Sequence, residues 1–164
     1  MSLRHYCSDD AAGLFEALRH ELAWEHIPRR IPRDVNELTA DMQPTAAASP
    51  RMTFTVRQWG EIVGRTSIIY DPSAPAGVEI GATQFDPSVW GTGVNTRVKR
   101  LLVRELFDRG AEWIQFRTDE RNGRSAAAIR KLGATELGVR PDHFVRRDGT
   151  QRRSRFFRLE PPTT

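Results

Sequence analysis

Cysteine is nearly absent from this chain of 164 residues, where Cys7 stands alone. One thiol cannot build an internal disulfide framework, and no paired Cys/His spacing suggests structural zinc. Nowhere do 18 apolar residues run consecutively, which leaves out a membrane-spanning helix. The opening "MSLRHYCSDD" has no apolar core of signal-peptide length. A reducing, cytoplasmic setting is the expectation. Two further patterns are missing. No Gly-x-x-x-x-Gly-Lys run occurs, so there is no Walker loop. "HELAWEH" places His20, Glu21 and His26 together but lacks the His-Glu-x-x-His spacing. A separation of six puts the two histidines on different helix faces, which argues against zinc.

What is present leans basic, with a formal charge of +4 and a sequence pI near 10.0. That balance favours an anionic partner: nucleic acid, a membrane surface or a phosphorylated small molecule. A nucleic-acid face would gather its bases beside exposed aromatics. Here the arginines spread from Arg4 to Arg158 with acids between them. The length and a 38% hydrophobic content suit one domain over residues 1–164.

Periodicity orders the chain. "LRHY" (Leu3–Tyr6) reads as a short strand. Ser8, Asp9 and Asp10 then start a helix whose buried face would carry Leu14, Leu18 and Leu22. Two prolines in "EHIPRRIPRD" break it, and Asp34 with Glu37 resembles a capping box for a second helix. "QPTAAASP" reads as a loop. "RMTFTVRQ", "IVGRTSIIY" and "VEIGATQFD" read as strands joined by the turns "WGE" and "DPSAPAG". A helix follows with Val94, Val98, Leu101, Leu102 and Leu106 on one face, then the strand "EWIQFRT". The helix "NGRSAAAIRKLG" has Asn122 as N-cap and Gly133 as C-cap. "HFVRRDGTQRRSRFFRLE" reads as a hairpin turning at Asp148–Gly149, and "EPPTT" as a frayed end. Early strands joined by turns and later ones joined through helices predict an α/β (α+β) mixed sheet flanked by helices.

The stretch "DPSVWGTGVNTRVKRLL" runs from a strand through a Gly-rich turn into a basic helix. Such a junction offers unpaired amides and a positive helix end, fit for a pyrophosphate. A dinucleotide fingerprint would need a third glycine where Thr96 stands. A coenzyme A site and a plain turn are the remaining readings.

That loop, followed by "NGRSAAAIRKLGA" one strand and one helix downstream, resembles the GNAT superfamily of N-acetyltransferases, in particular its RimJ/RimL-like branch. The likeness is clear from about Val78 to Phe157; the first half fits in element order only. It implies a GNAT fold: a mostly antiparallel sheet of six to seven strands, about four helices, and a central parallel pair that splays apart. It also implies acetyl-CoA as co-substrate, no metal, and an amine acceptor, either a protein N-terminus or a small molecule. It leaves room for a homodimer.

Carried onto this sequence, Trp90–Asn95 would be the pyrophosphate loop, bound through the amides of Gly91, Gly93, Val94, Asn95 and Thr96, with Thr92 between them and Arg97 adding charge. The backbone at Phe85 would pair with the pantetheine arm. Asn122 would bond the pantetheine or the acceptor channel, and Ser125 would lie near the coenzyme sulfur. Glu79 would be the general base, or else a solvated or ion-paired carboxylate. The chain departs from the pattern at several places. Trp90 and Asn95 replace commoner residues, Ile129 stands where many relatives have a tyrosine acid, Ala134 replaces a phenylalanine, and Arg153 falls where the branch has an acid. Trp24 and His26 lie where relatives line an acceptor pocket, with packing the preferred reading for Trp24; His143 could touch an acceptor but reads first as a surface or half-buried histidine; and Cys7 has no helper for a ping-pong route. The competing functions are a non-catalytic acyl-CoA sensor and, further behind, a nucleic-acid-binding domain.

Overall fold

Alternation in Arg51–Gln58 and a Trp-Gly dipeptide dictate the first hairpin. Trp59 and Gly60 both take positive φ, 55° and 92°, the conformation a two-residue hairpin turn demands. The computed structural model describes residues 1–42 and 50–162. Its strands are β1 Ser2–His5, β2 Arg51–Gln58, β3 Glu61–Tyr70, β4 Gly77–Phe85, β5 Trp113–Asp119, β6 Thr135–Val145 and β7 Gln151–Leu159. Its helices are α1 Ala11–Leu18, α2 Val35–Met42, α3 Val94–Asp108 and α4 Gly123–Arg130. Short 3-10 turns occupy Ser8–Asp10, Glu21–Trp24 and Pro87–Val89.

The strands form one open sheet in the order β1-β2-β3-β4-β5-β7-β6, and only β4 and β5 run parallel. Their pairing begins at Gly77↔Trp113 and ends at Glu79↔Gln115. Beyond that point β4 and β5 part. A bulge lies on the diverging stretch of β4: Ala82 and Thr83 fall between the paired residues Gly81 and Gln84, and Ala82 has φ 47°. A bulge bends its strand and re-aims the groups around it.

Two cores hold the layers. Val98, Leu102 and Leu106 of α3 pack with Ile80, Ile114, Phe116 and Phe157 of the sheet. Leu14 and Leu18 of α1, Leu38 and Met42 of α2, and Trp24 form the second. Trp24 is fully buried and its indole N–H donates to the Leu18 carbonyl at 2.6 Å. Its role is packing, as the sequence suggests.

Several expectations change. The first helix stops at Leu18, and Leu22 is 47% exposed. His20 has extended backbone, and its ring Nδ1 accepts the Leu22 N–H at 3.2 Å. That starts a new 3-10 turn, which brings Trp24 rather than Leu22 to the core. On α3, Leu101 is exposed and Lys99 is buried instead. Met52 is also exposed. Glu61 belongs to β3, so the turn is Trp59–Gly60 alone. β6 begins at Thr135, eight residues before the expected hairpin. It is the sheet's edge, where Gly138 and Pro141 are tolerated because one side needs no ladder. The loop read at "QPTAAASP" lies outside the described residues except for Pro50, and the frayed end is described only to Pro162.

Candidate active site

The Gly-rich turn has a specific reason for its glycines. Gly91 and Gly93 sit at φ 78° and 83°, the left-handed region that side chains disfavour. Their geometry leaves the amides of Gly91, Gly93, Val94, Asn95 and Thr96 without an acceptor among the described residues. The neighbouring amides are spent locally: Trp90 N–H on Pro87, Thr92 N–H on Val89 and Arg97 N–H on Gly93. Five free donors at the start of a 15-residue helix make an anion receptor, aided by the helix dipole. This fits a coenzyme pyrophosphate.

The indole of Trp90 braces the loop. Its N–H donates to the Phe85 carbonyl at 3.2 Å, and the Arg124 guanidinium lies 3.5 Å from the ring centroid. The contact ties the loop to α4. It also engages the Phe85 carbonyl, a main-chain group expected to be open to the pantetheine arm. Asn95 Oδ1 is buried without a partner among the described residues.

The loop opens into a cavity of about 370 Å³, bordered among others by Trp90, Asn95, Asn122, Ser125 and Lys131. A second cavity of about 480 Å³ holds Glu79, Gly81, Arg117, Asp119 and His143. The two share His26, Ile27, Thr83, Gln84, Lys99, Asn122 and Ser125. They are lobes of one cleft, joined where β4 and β5 part. The first lobe, the one expected to take the coenzyme, gathers Phe85, Trp90, Gly91, Gly93, Asn95 and Thr96; the second is the lobe expected to take the acceptor, and Asn122 and Ser125 stand at the seam. Thr92, Val94 and Arg97 do not line it. The Val94 side chain is core, and the Thr92 hydroxyl is spent on the Val89 carbonyl. The Arg97 guanidinium bends back to the Thr92 carbonyl at 3.4 Å.

Asn122 caps α4: its Oδ1 accepts the Ser125 N–H at 2.9 Å. Asn122→Ala is expected to cost about 1 kcal/mol of stability, and Asn122→Ser to keep the cap. Melting and coenzyme titration of both variants separate capping from ligand contact, because the neutral Ser variant stays stable and binds more weakly only if the Asn122 amide touches the ligand.

In the acceptor lobe, Glu79 accepts from Gln115 Nε2 at 2.9 Å and lies 3.5 Å from Arg117. The carboxylate is thus held in place and ion-paired while bordering the cavity. Gly81 makes room for it, since a Cβ there would lie 2.9 Å from Glu79 Oε1. Asp119 is taken by Arg146, with both oxygens bonded at 2.8 and 2.9 Å. Burial raises the Asp119 carboxyl, but the Arg146 bonds and the Arg121 amide outweigh it and hold the pKa below the usual range. His26 borders both lobes, and burial lowers its pKa. His143 borders the acceptor lobe, is mostly exposed, and sits 3.0 Å from Asp142. Arg153 faces Glu120 at 3.4 Å, and Cys7 is exposed and borders neither lobe. Among the described residues no cluster of His, Cys, Asp or Glu could hold a metal, and no helix is long and apolar enough to cross a membrane.

One site group escaped the sequence reading. In the sequence Lys99 is one charge of the basic helix after the Gly-rich turn, yet it is 5% exposed and borders both lobes. Its ammonium stands over Phe116, 5.0 Å from the ring centroid. Burial lowers its pKa from 10.5 to about 8, against the opposing pull of Glu79. The signal was its place in the α3 stripe, one residue after Val98, on a turn where Leu101 and Lys99 compete for the interior.

Comparisons with known proteins agree with this geometry. No curated protein matches the chain. Among solved structures, it is similar to a probable GNAT-family acetyltransferase from Chromobacterium violaceum: 24% identity, TM-score 0.85, covering 96% of this chain and 86% of that one. It is similar to a GCN5-related N-acetyltransferase from Brucella melitensis at 19% identity and TM-score 0.81, covering 96% and 74%. A ribosomal-protein-alanine N-acetyltransferase from Brucella melitensis follows at 15% identity and TM-score 0.73, covering 98% and 99%. The sheet with its single parallel pair is the GNAT fold. The family model for the acetyltransferase (GNAT) domain matches residues 1–135, so the chain belongs to the GNAT acetyltransferases, enzymes that draw their acetyl group from acetyl-CoA.

Proposed function

We propose that this enzyme acetylates a primary amine by direct attack on acetyl-CoA, with residues 1–164 acting as one unit. The observation that carries the reading is the continuity of the cleft. It runs from five unsatisfied amides at the Gly-rich loop, through the gap between β4 and β5, to the carboxylate of Glu79. The loop holds the pyrophosphate, and the gap admits the pantetheine arm past Asn122 and Ser125. Glu79 removes the amine proton, directly or through water. Holding both substrates together supplies much of the rate, because effective molarities on the order of 10⁵ M are attainable. Ser125 positions the sulfur rather than giving it a proton, since a hydroxyl is a weak acid. The motifs from Val78 to Phe157 support the RimJ/RimL-like branch, with its cytoplasmic setting.

The acceptor lobe pairs its charges: Arg117 lies 3.5 Å from both Glu79 and Asp142, and Arg152 lies 3.9 Å from both Asp119 and Asp142. Thiol release from acetyl-CoA across a panel of small amines and N-terminal peptides, together with CoA calorimetry, tests the proposal. The expected result is CoA binding and turnover. Binding without turnover on any amine would point to an acyl-CoA sensor instead.

A further inference from the structure

We propose that Lys99 is the proton donor to the departing coenzyme thiolate: its side chain is 5% exposed and borders both lobes at their seam, with the ammonium over Phe116. The assignment rests on the reading of the cleft as an acetyl-transfer site. A pantetheine arm passing from the loop toward Glu79 must cross this seam, and its thioester is the part that reaches it. Asn122 and Ser125 border the same crossing from α4.

Three observations select Lys99 for the task. First, the residue where many relatives carry a tyrosine acid is Ile129, which is buried and borders the acceptor lobe without a proton to give. Second, the sequence has only two lysines, Lys99 and Lys131, among 25 Lys and Arg residues. Arginine holds its proton at any working pH, whereas a buried lysine can release one. Third, an ammonium on a side chain this deeply buried has little room for water, and a thiolate formed at the seam would pair with it.

The groups facing Lys99 set its charge. Glu79 on β4 favours the ammonium. Arg117 and Asp119 on β5, Arg65 on β3 and Arg152 on β7 border the same lobe. His26 borders both lobes, and Arg124 and Lys131 border the coenzyme side. Burial, against the pull of Glu79, brings Lys99 to a pKa of about 8. That value is close to a thiol's own, about 8.5 for cysteine, so transfer between them runs nearly level.

The step balances. Glu79 takes one proton from the bound ammonium and passes it through water to solvent; the freed amine nitrogen then forms the C–N bond, and its surplus proton goes to Glu79 in turn. The C–S bond then breaks with its electron pair on sulfur, the carbonyl re-forms, and Lys99 gives the sulfur a proton. The products are the amide and the free thiol. Glu79 is left protonated and Lys99 neutral, and one proton carried by water from the first to the second restores both.

The test compares wild type, Lys99→Met and Lys99→Arg with saturating acetyl-CoA and amine from about pH 6 to about pH 10. Both variants are expected to lose on the order of 10²-fold in kcat, with CoA affinity little changed. The wild-type profile should fall above about pH 8 as the ammonium is lost, and this limb should vanish in both variants. In wild type with ¹³Cε-labelled lysine, only two lysine signals need assigning. The Lys99 signal should titrate near 8 in the free protein and move upward when CoA thiolate is bound. Full activity in Lys99→Arg would overturn proton donation in favour of a fixed charge. Full activity in Lys99→Met, or a Lys99 titration indifferent to bound CoA, would overturn the assignment while leaving acetyl transfer intact. If CoA neither binds nor turns over in wild type, the site reading itself fails, and this role with it.

Discussion

Glu79→Gln is expected to lower kcat about 10²- to 10³-fold near neutral pH, the range that loss of a positioned base produces. Acetyl-CoA affinity should change little, because Glu79 borders the acceptor lobe and not the coenzyme lobe. Glutamine keeps the size of the side chain and an oxygen for the Gln115 N–H. What it loses is the ability to take a proton and to pair with Arg117. Only a free amine attacks a thioester, so a variant without a base depends on the fraction of amine already deprotonated. Its rate should climb with pH toward the pKa of the amine and recover much of the deficit there. The competing role for Glu79 is the ion pair with Arg117 at 3.5 Å. A purely structural carboxylate would give a variant that melts lower but turns over normally. Steady-state kinetics across pH, beside a melting curve, decides between the two.

Lys99→Met should stabilise the protein at neutral pH relative to its value in strong base, by about 3 kcal/mol. The figure follows from linkage. Lys99 has an ordinary pKa of 10.5 and a folded value of about 8, and each unit is worth about 1.4 kcal/mol. The sign comes from proton counting. Below pH 8 both the folded and unfolded chains carry the ammonium, and burial makes the folded one bear its full cost. Between about 8 and 10.5 the unfolded chain holds more protons, so wild-type stability gains on the variant as pH rises. Above that window the cost is gone. Other titrating groups are common to both proteins and cancel in the difference. Denaturant unfolding of the pair at about pH 7 and about pH 11 reads it directly. A constant difference across that range would mean that Lys99 is hydrated in the cleft and titrates as an exposed lysine does.

The fold was legible from alternation, turn residues and caps. The order of strands and helices follows from the three turn-joined strands before Phe85 and the helix-joined ones after it. The parts that were not legible have physical reasons. Leu22 lost its buried place because His20 caps a new turn, a local contest that four-residue spacing cannot show. β6 was cut short because an edge strand has one unpaired side and can carry Gly138 and Pro141. In the site, the free amides of the Gly-rich loop followed from glycine spacing and helix geometry. The brace between Trp90 and Arg124, the Arg146 clamp on Asp119 and the depth of Lys99 join residues far apart in sequence, and no local pattern encodes such pairs. The bulge at Ala82 was equally hidden, because a positive φ at alanine is imposed by the neighbouring strand rather than by its own preference.

The near-exclusive use of arginine has a chemical corollary. Acetyl-CoA reacts slowly, unaided, with exposed neutral amines, and lysine side chains are the usual casualties. Guanidinium groups do not take part. With Lys99 and Lys131 as the only lysines of this sequence, most of the chain's positive charge is carried by groups that survive prolonged contact with that reagent.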